Sequence, residues 1–339
     1  MEQNITIHDI AKKLGISSST VSRALNNNSR ISDKTKAKVL ELANELGYKP
    51  NAAATALRMK RTKTIGLIIP KINRHFFSDA INGVEKYAKS KGYNVIITQS
   101  NESEAQEKEC IQTLLHAGVD GIIASIALVK NDYQHYYKII DREVPLVFFD
   151  RICDEIESNK VVVDDFKGGF LAAEHLISQG CKQIAHIAGP QHLNLYINRT
   201  QGFFKALRKH NMEPFASEIL ENYLTREEGE EAAKILLGGK KRPDAIFASN
   251  DTVCLSLIEY AKQHNIAIPD ELAIIGFSNE PYAKLISPSL STIEQRGYDV
   301  GYKATELLIT NIDNQTNTHE TIVLPIKLIE RESSAKKKK

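Results

Sequence analysis

The chain has 339 residues, 42% hydrophobic and 25% charged, which is long for one domain, suits two or three with full cores and excludes a disordered chain. Its net charge of +2 hides an asymmetry: residues 1–63 carry twelve Lys or Arg against five Asp or Glu, a net of +7, which leaves −5 for the rest. The first apolar run, 65–70, is far too short to span a bilayer, and no export signal is visible, so a cytoplasmic protein without a membrane partner is expected.

In chain order, Ile7, Ile10, Ala11 and Leu14 fall at i, i+3, i+4 and i+7, the stripe of a short amphipathic helix. Gly15 stands where the chain needs a left-handed residue to leave it. Ser17 is placed to cap a second helix, whose Val21 and Leu25 face the first and whose outward side carries Ser18, Ser19, Ser22 and Arg23. A third helix follows a Ser32 cap, with Val39, Leu42, Ala43 and Leu46 as its stripe, Gly47 at its end and Pro50 beyond. Two helices around a tight glycine turn, the second presenting hydroxyls and one long cation, fit a helix-turn-helix reader of the DNA major groove. The +7 head supplies the attraction to phosphates that such a reader needs.

From residue 64 the texture alternates. Strands are predicted at 64–69, 94–98, 121–124, 145–149, 161–163, 183–187, 245–248, 272–276, 321–324 and 327–329. Helices are predicted at 77–91, 105–117, 132–141, 168–179, 199–210, 226–237, 252–264 and 298–310. Such alternation predicts parallel, doubly wound sheets, and there are too many strands for one, so two α/β lobes with a ligand cleft between them are expected. No G-x-G-x-x-G opens a helix, and no Walker loop, G-x-S-x-G or H-E-x-x-H is present, so neither an enzyme nor a cofactor is expected. His175, His186 and His192 lie near one another without metal-ligand spacing, and no metal site is assigned. Cys110, Cys153, Cys181 and Cys254 form no C-x-x-C pair and read as small buried hydrophobes.

These residues carry a family resemblance. Asp9-Ile10-Ala11, Gly15, Ser17, Thr20-Val21-Ser22-Arg23 and Gly47-Tyr48-Lys49-Pro50-Asn51 mark the head. Phe76-Phe77, Gly118 to Ile123, Phe149-Asp150-Arg151, Arg199-x-x-Gly202-Phe203 and Asn250-Asp251 mark the body. From about Asn4 to Glu330 the chain closely resembles the LacI/GalR transcriptional regulators. The resemblance implies a repressor that binds a palindromic operator in double-stranded DNA as a homodimer, under the control of a small sugar-like effector. It implies a head at 1–49, a hinge helix and linker at 50–63, and a periplasmic-binding-protein-like core at 64–330. Lobe 1 is expected at about 64–163 plus 291–330, lobe 2 at about 164–290, and a basic tail at 331–339.

Carried over by position, Ser18, Ser19 and Arg23 would face base edges, while Thr6, Ser17, Thr20, Ser22, Asn26, Ser32 and Asn51 would face phosphates. Residues 51–61 match a hinge helix that orders on DNA, with Leu57 as a minor-groove wedge. The expected effector residues are Phe76, Asp150, Arg199, Asn250, Ser278 and Glu280. Two departures from the family bear on the ligand. Ser278 stands where sugar-binding relatives carry an aspartate, and Arg74-His75 stands where Asn-Pro usually precedes the paired phenylalanines. One acid is lost and two cations are gained, which points toward a sugar acid or sugar phosphate unless Glu280 replaces the acid. A sugar-binding protein of the periplasmic type is the alternative, opposed by the head and the lack of an export signal.

Overall fold

The computed structural model describes residues 5–48, 61–129, 132–215, 220–315 and 319–336. The chain forms two compact units, Met1–Thr62 and Lys63–Lys339. The expected hinge helix, with Asn51 and Leu57, lies outside the described residues. No described helix is long and apolar enough to cross a membrane.

The first unit holds α1 (Ile7–Leu14), α2 (Ser18–Leu25) and α3 (Asp33–Glu45). Thr6 and Asp9 close a capping box on α1, Ser17 accepts the Thr20 amide at the start of α2, and Ser32 accepts that of Thr35 at the start of α3. Gly15 leaves α1 at φ +64, and its amide donates to the Ala11 carbonyl. Ile10, Val21 and Val39 meet fully buried at the centre, ringed by Ala11, Ala24 and Ala43. The elements, caps and core agree with the residue spacing.

The second unit is built on two six-stranded sheets. The first takes β1 (Thr64–Ile69), β2 (Asn94–Gln99), β3 (Ile122–Ala124), β4 (Leu146–Phe149), β5 (Asn159–Val163) and β11 (Thr321–Leu324). Its order is β11-β5-β4-β3-β1-β2, parallel throughout. The second takes β6 (Ile184–Ala188), β7 (Leu220–Glu221), β8 (Ala245–Ala248), β9 (Ala273–Ser278), β10 (Ser291–Glu294) and β12 (Lys327–Ile329), in the order β12-β10-β9-β8-β6-β7. Only β12 runs antiparallel there.

Strand parity sorts side chains onto opposite faces of each sheet. In lobe 1, Ile65, Leu67, Ile69, Val147 and Phe149 pack under α4 (His75–Ser90) and α11 (Gly297–Asn314). Ile68, Ile122 and Phe148 face the side of α5 (Glu104–His116) and α6 (Gln134–Ile140). In lobe 2, Phe247, Ile275 and Phe277 pack under α7 (Asp165–Ser178) and α8 (Asn194–Lys209), and Ile246 and Ile274 under α9 (Arg226–Leu237) and α10 (Asp251–Gln263). Burial on both faces explains the continuous apolar runs of β1 and β9.

One boundary differs from expectation. The segment 291–330 does not belong to lobe 1 as a block: β10 pairs with β9 in lobe 2, α11 and β11 return to lobe 1, and β12 crosses back. The chain therefore crosses between lobes three times, after Val163, Glu294 and Leu324. The expected basic tail is also not free up to Lys336. Ser333 and Ser334 are fully buried against lobe 2, and the Lys336 amide donates to Gln179.

Candidate functional site

The head presents the N-terminal ends of three helices, each opened by a hydroxyl residue, Thr6, Ser17 or Ser32. Exposed amides at a helix start attract anions, and the capping hydroxyls sit beside them. On α2, Ser19 and Arg23 are exposed, and Ser18, Thr20 and Ser22 are half-buried. The hydroxyls are locally ordered: Ser17 Oγ lies 2.9 Å from Ser19 Oγ and 2.8 Å from Thr20 Oγ1. Asn26 closes α2, its amide group donating to the Ser22 carbonyl. Ser18 Oγ lies 2.9 Å from His8 Nδ1, so His8 of α1 stands on the same face. Spacing within α2 could not reveal that neighbour, because it comes from the other helix.

In the second unit, the loops at the carboxyl ends of both sheets meet in one cleft, where an open α/β sheet holds its ligands. Phe76, Asp150, Arg199, Asn250, Ser278 and Glu280 all line it. Arg199 is the centre of the polar arrangement. It is 2% exposed; its Nε donates to Asp165 Oδ1 and its Nη1 to the Ser249 carbonyl, both at 2.8 Å. The guanidinium carbon lies 3.5 Å from the centre of the Phe277 ring. Its Nη2 is buried and satisfied by no protein group. The helix contact that brings Arg199 to Asp165 requires glycine. A methyl at Gly169 would stand 1.9 Å from the Arg199 carbonyl oxygen, and one at Gly202 would stand 2.0 Å from that of Phe166.

Across from Arg199, Asp150 sits at φ +60 at the end of β4. Its Oδ1 accepts Gln295 Nε2 at 3.0 Å, and Gln295 Oε1 accepts Ser278 Oγ at 3.1 Å, a chain that links the two lobes. Burial raises the Asp150 carboxyl to about 7, against the opposing pull of Arg151. Asp165 rises to about 6 by burial, opposed by Arg199, and Asp251 to about 7 by burial, opposed by the Thr292 hydroxyl. Arg151 is neutralised by Glu102, its Nη1 lying 2.8 and 3.1 Å from the two carboxylate oxygens.

Arg74 and Ser278, two of the positions that depart from the pattern of the resemblance, also line the cleft. Arg74 Nη1 reaches from lobe 1 to Thr252 Oγ1 at 3.0 Å in lobe 2. Glu280 is half-buried; burial raises its carboxyl, while His75 and Arg74 oppose the rise. Asn250 lines the cleft but is heavily engaged: Oδ1 caps α10 through the Val253 amide, and Nδ2 donates to the Leu224 carbonyl. Phe76 stands edge-on to Phe77, with ring centres 5.3 Å apart. Gln295, Tyr196 and Ser249 are among the lining residues that the sequence pattern does not point to; Gln295 follows β10, a strand that the apolar pattern does not reveal.

About 80 Å³ is free in the cleft, below the roughly 300 Å³ of ordinary small-molecule sites, so the lobes stand close together. A wider groove of about 580 Å³ adjoins it, with Glu221, Glu228 and Glu231 in its lining. None of the groove's lining residues carries a buried donor without a partner, and the cleft is the better ligand site. His175, His186 and His192 are separately occupied, by Ser334, by Thr200 with the Phe247 carbonyl, and by the Leu128 carbonyl. All four cysteines are buried and free.

Residues 6–51 match the family described as bacterial regulatory proteins, lacI family, and residues 173–334 match the periplasmic binding protein-like domain. The chain is 34% identical over 331 residues to the HTH-type transcriptional regulator DegA of Bacillus subtilis (strain 168), covering 97% of this chain and 98% of that protein. Its structure is similar to that of the lac repressor dimer bound to operator and the anti-inducer ONPF, with a TM-score of 0.87, 25% identity, and 98% and 99% of the two chains covered. It is also similar to a complex of the transcriptional regulator CelR with cellobiose, with a TM-score of 0.74, 26% identity, and 97% and 99% covered.

Proposed function

This chain belongs to the LacI family of bacterial regulatory proteins, DNA-binding transcriptional repressors, and from that premise we propose that it acts as a homodimer on a palindromic operator, controlled by a small anionic sugar derivative in the interlobe cleft. The capped helix starts of the head support phosphate contacts by Thr6, Ser17 and Ser32, with Thr20, Ser22 and Asn26 beside them. Arg23 is the side chain suited to bidentate pairing with guanine, and Ser18 and Ser19 are short partners for either base class. Asn51 and Leu57 would extend these contacts along the hinge. Binding should fall steeply as salt rises, because each phosphate contact releases counterions.

The observation that carries the effector reading is the unpartnered Nη2 of Arg199 in a cleft that also offers Asp150, Ser278 and the cation Arg74. A buried guanidinium donor gains most from a charged oxygen. Ser278, in place of an aspartate, removes a carboxylate that would repel an anion. Asp150, with its carboxyl at about 7, loses its charge at mildly acid pH. The sign of the pH dependence then separates the ligand classes. An anionic ligand should bind more tightly at pH 6 than at pH 8, because protonating Asp150 removes repulsion. A neutral sugar whose hydroxyl donates to ionised Asp150 should do the reverse. Calorimetric titration with a hexose and its uronate at both pH values is the test. Binding of the hexose alone, stronger at pH 8 and lost in Glu280→Gln, overturns the anionic reading.

A further inference from the structure

Neither the head nor the cleft uses a polar cluster at the starts of α5 and α6. His135, in the first turn of α6, is 3% exposed. Its Nε2 lies 2.7 Å from Glu107 Oε2, and the other oxygen of Glu107 accepts the Ala127 amide at 2.7 Å. Its Nδ1 is buried and satisfied by no protein group. One ring nitrogen of His135 and one carboxylate oxygen each of Glu104 and Asp132 lie within 4.8 Å of one another. With Nε2 held by Glu107, Nδ1 is the nitrogen left to the cluster. A histidine with one edge fixed by a carboxylate and the other open is the arrangement of a metal ligand and its outer partner.

We propose that Glu104, Asp132 and His135 bind one divalent transition-metal ion of the zinc class, with Glu107 orienting the imidazole. An imidazole with two carboxylates selects zinc, cobalt or nickel over magnesium and calcium. Three protein ligands leave a fourth position for water, and bonds of roughly 2.0–2.2 Å require the ligand atoms to draw inward by about an ångström. Asp132 is exposed and gives an entry path. A cation already stands here: Lys108, 43% exposed, pairs with Glu104, and the charge of Asp132 also reaches it. The metal therefore competes with an ammonium on a flexible stem. Once bound, it ties α5 to α6 beside the loop whose Ala127 and Leu128 amides are held by Glu107 and Glu102.

The test is calorimetric titration of the chelator-treated full chain with Zn2+, with Mg2+ as the control. One equivalent of Zn2+ is expected, with no uptake of Mg2+. Asp132→Asn and Glu104→Gln should each weaken binding by about tenfold or more. Lys108→Met should tighten it, a change in the opposite direction that loss of folding cannot imitate. The proposal is overturned if Zn2+ is not taken up, if Mg2+ binds as well, if both carboxylate variants bind like the parent, or if Lys108→Met weakens binding.

Discussion

Arg23 is the only Lys or Arg within α2, and its side chain is exposed, so the proposed role in DNA reading can be tested without disturbing the head. Arg23→Ala should weaken operator binding by about 1–3 kcal/mol and flatten the preference at one base pair per half-site. Its melting temperature should match the parent's, and fluorescence anisotropy over a panel of single-base operator variants reads both effects. Arg199 demands a subtler variant. Alanine there would leave Asp165 buried without its partner, which costs on the order of 3–5 kcal/mol of stability and obscures any effect on the ligand. Lysine keeps the charge but loses the planar fork. Arg199→Lys should therefore lower effector affinity by tenfold or more at a smaller cost in denaturation midpoint. Unchanged affinity would remove Arg199 from the site.

At the scale of elements, what could be read in advance was what is decided locally. Gly15, Ser17 and Ser32 fall at their predicted positions because a cap depends on a few neighbouring residues. The strand β10, Ser291–Glu294, was not legible: it has one aliphatic residue in four, and its pairing with β9 and β12 decides its conformation. The first turn of α8 was missed for a similar reason, since Asn194 and Asn198 break the apolar period. The cleft candidates were legible from short motifs, but the bonds that join them are not local. The C-terminal segment shows the gap most clearly. Its four closing lysines suggest a basic tail, yet Ser333 accepts the Ile274 amide at 2.8 Å and Ser334 bonds to Ser291 and His175. Arg331 donates to Asn279 Oδ1 at 2.8 Å and to the Leu290 carbonyl at 2.6 Å. Asn279 and Ser278 both have positive φ, 56 and 120, so Arg331 helps hold a strained cleft floor. Arg331→Ala should lower effector affinity without touching the effector, and reduce stability by about 1–3 kcal/mol. Paired ligand titration and urea denaturation test this; loss of stability with full affinity would leave the segment a purely structural role.

Across the whole molecule, the cleft and the layer behind Arg199 concentrate carboxyls that burial keeps protonated unusually high, Asp150 and Asp251 at about 7 and Asp165 at about 6. In the unfolded chain each releases its proton near the ordinary value of 3.8. Between these values the native state holds protons that the unfolded state lacks, so rising pH favours unfolding. The contribution is complete below the unfolded value and is lost as pH rises through 6 to 7. His186 acts in the opposite direction. Stacked against Phe247 and Phe203, it is lowered by burial to about 4, so its contribution is lost as pH falls from 6.5 toward 4. His175 is lowered as well, chiefly by burial. Between pH 4 and 6.5 the two histidines offset only part of the loss caused by the three carboxyls, and above 6.5 the carboxyls act alone. Melting temperature should therefore fall from pH 6.5 to pH 8. Asp150→Asn, which removes one buried charge while keeping an oxygen for Gln295, should recover on the order of 1–3 kcal/mol, with the gain at pH 8 exceeding that at pH 6 by roughly 1 kcal/mol. Thermal melts of parent and variant at the two pH values decide the matter. A parent that is flat across this window, or a variant as pH-sensitive as the parent, would mean that water reaches the cleft carboxyls and lets them ionise without cost.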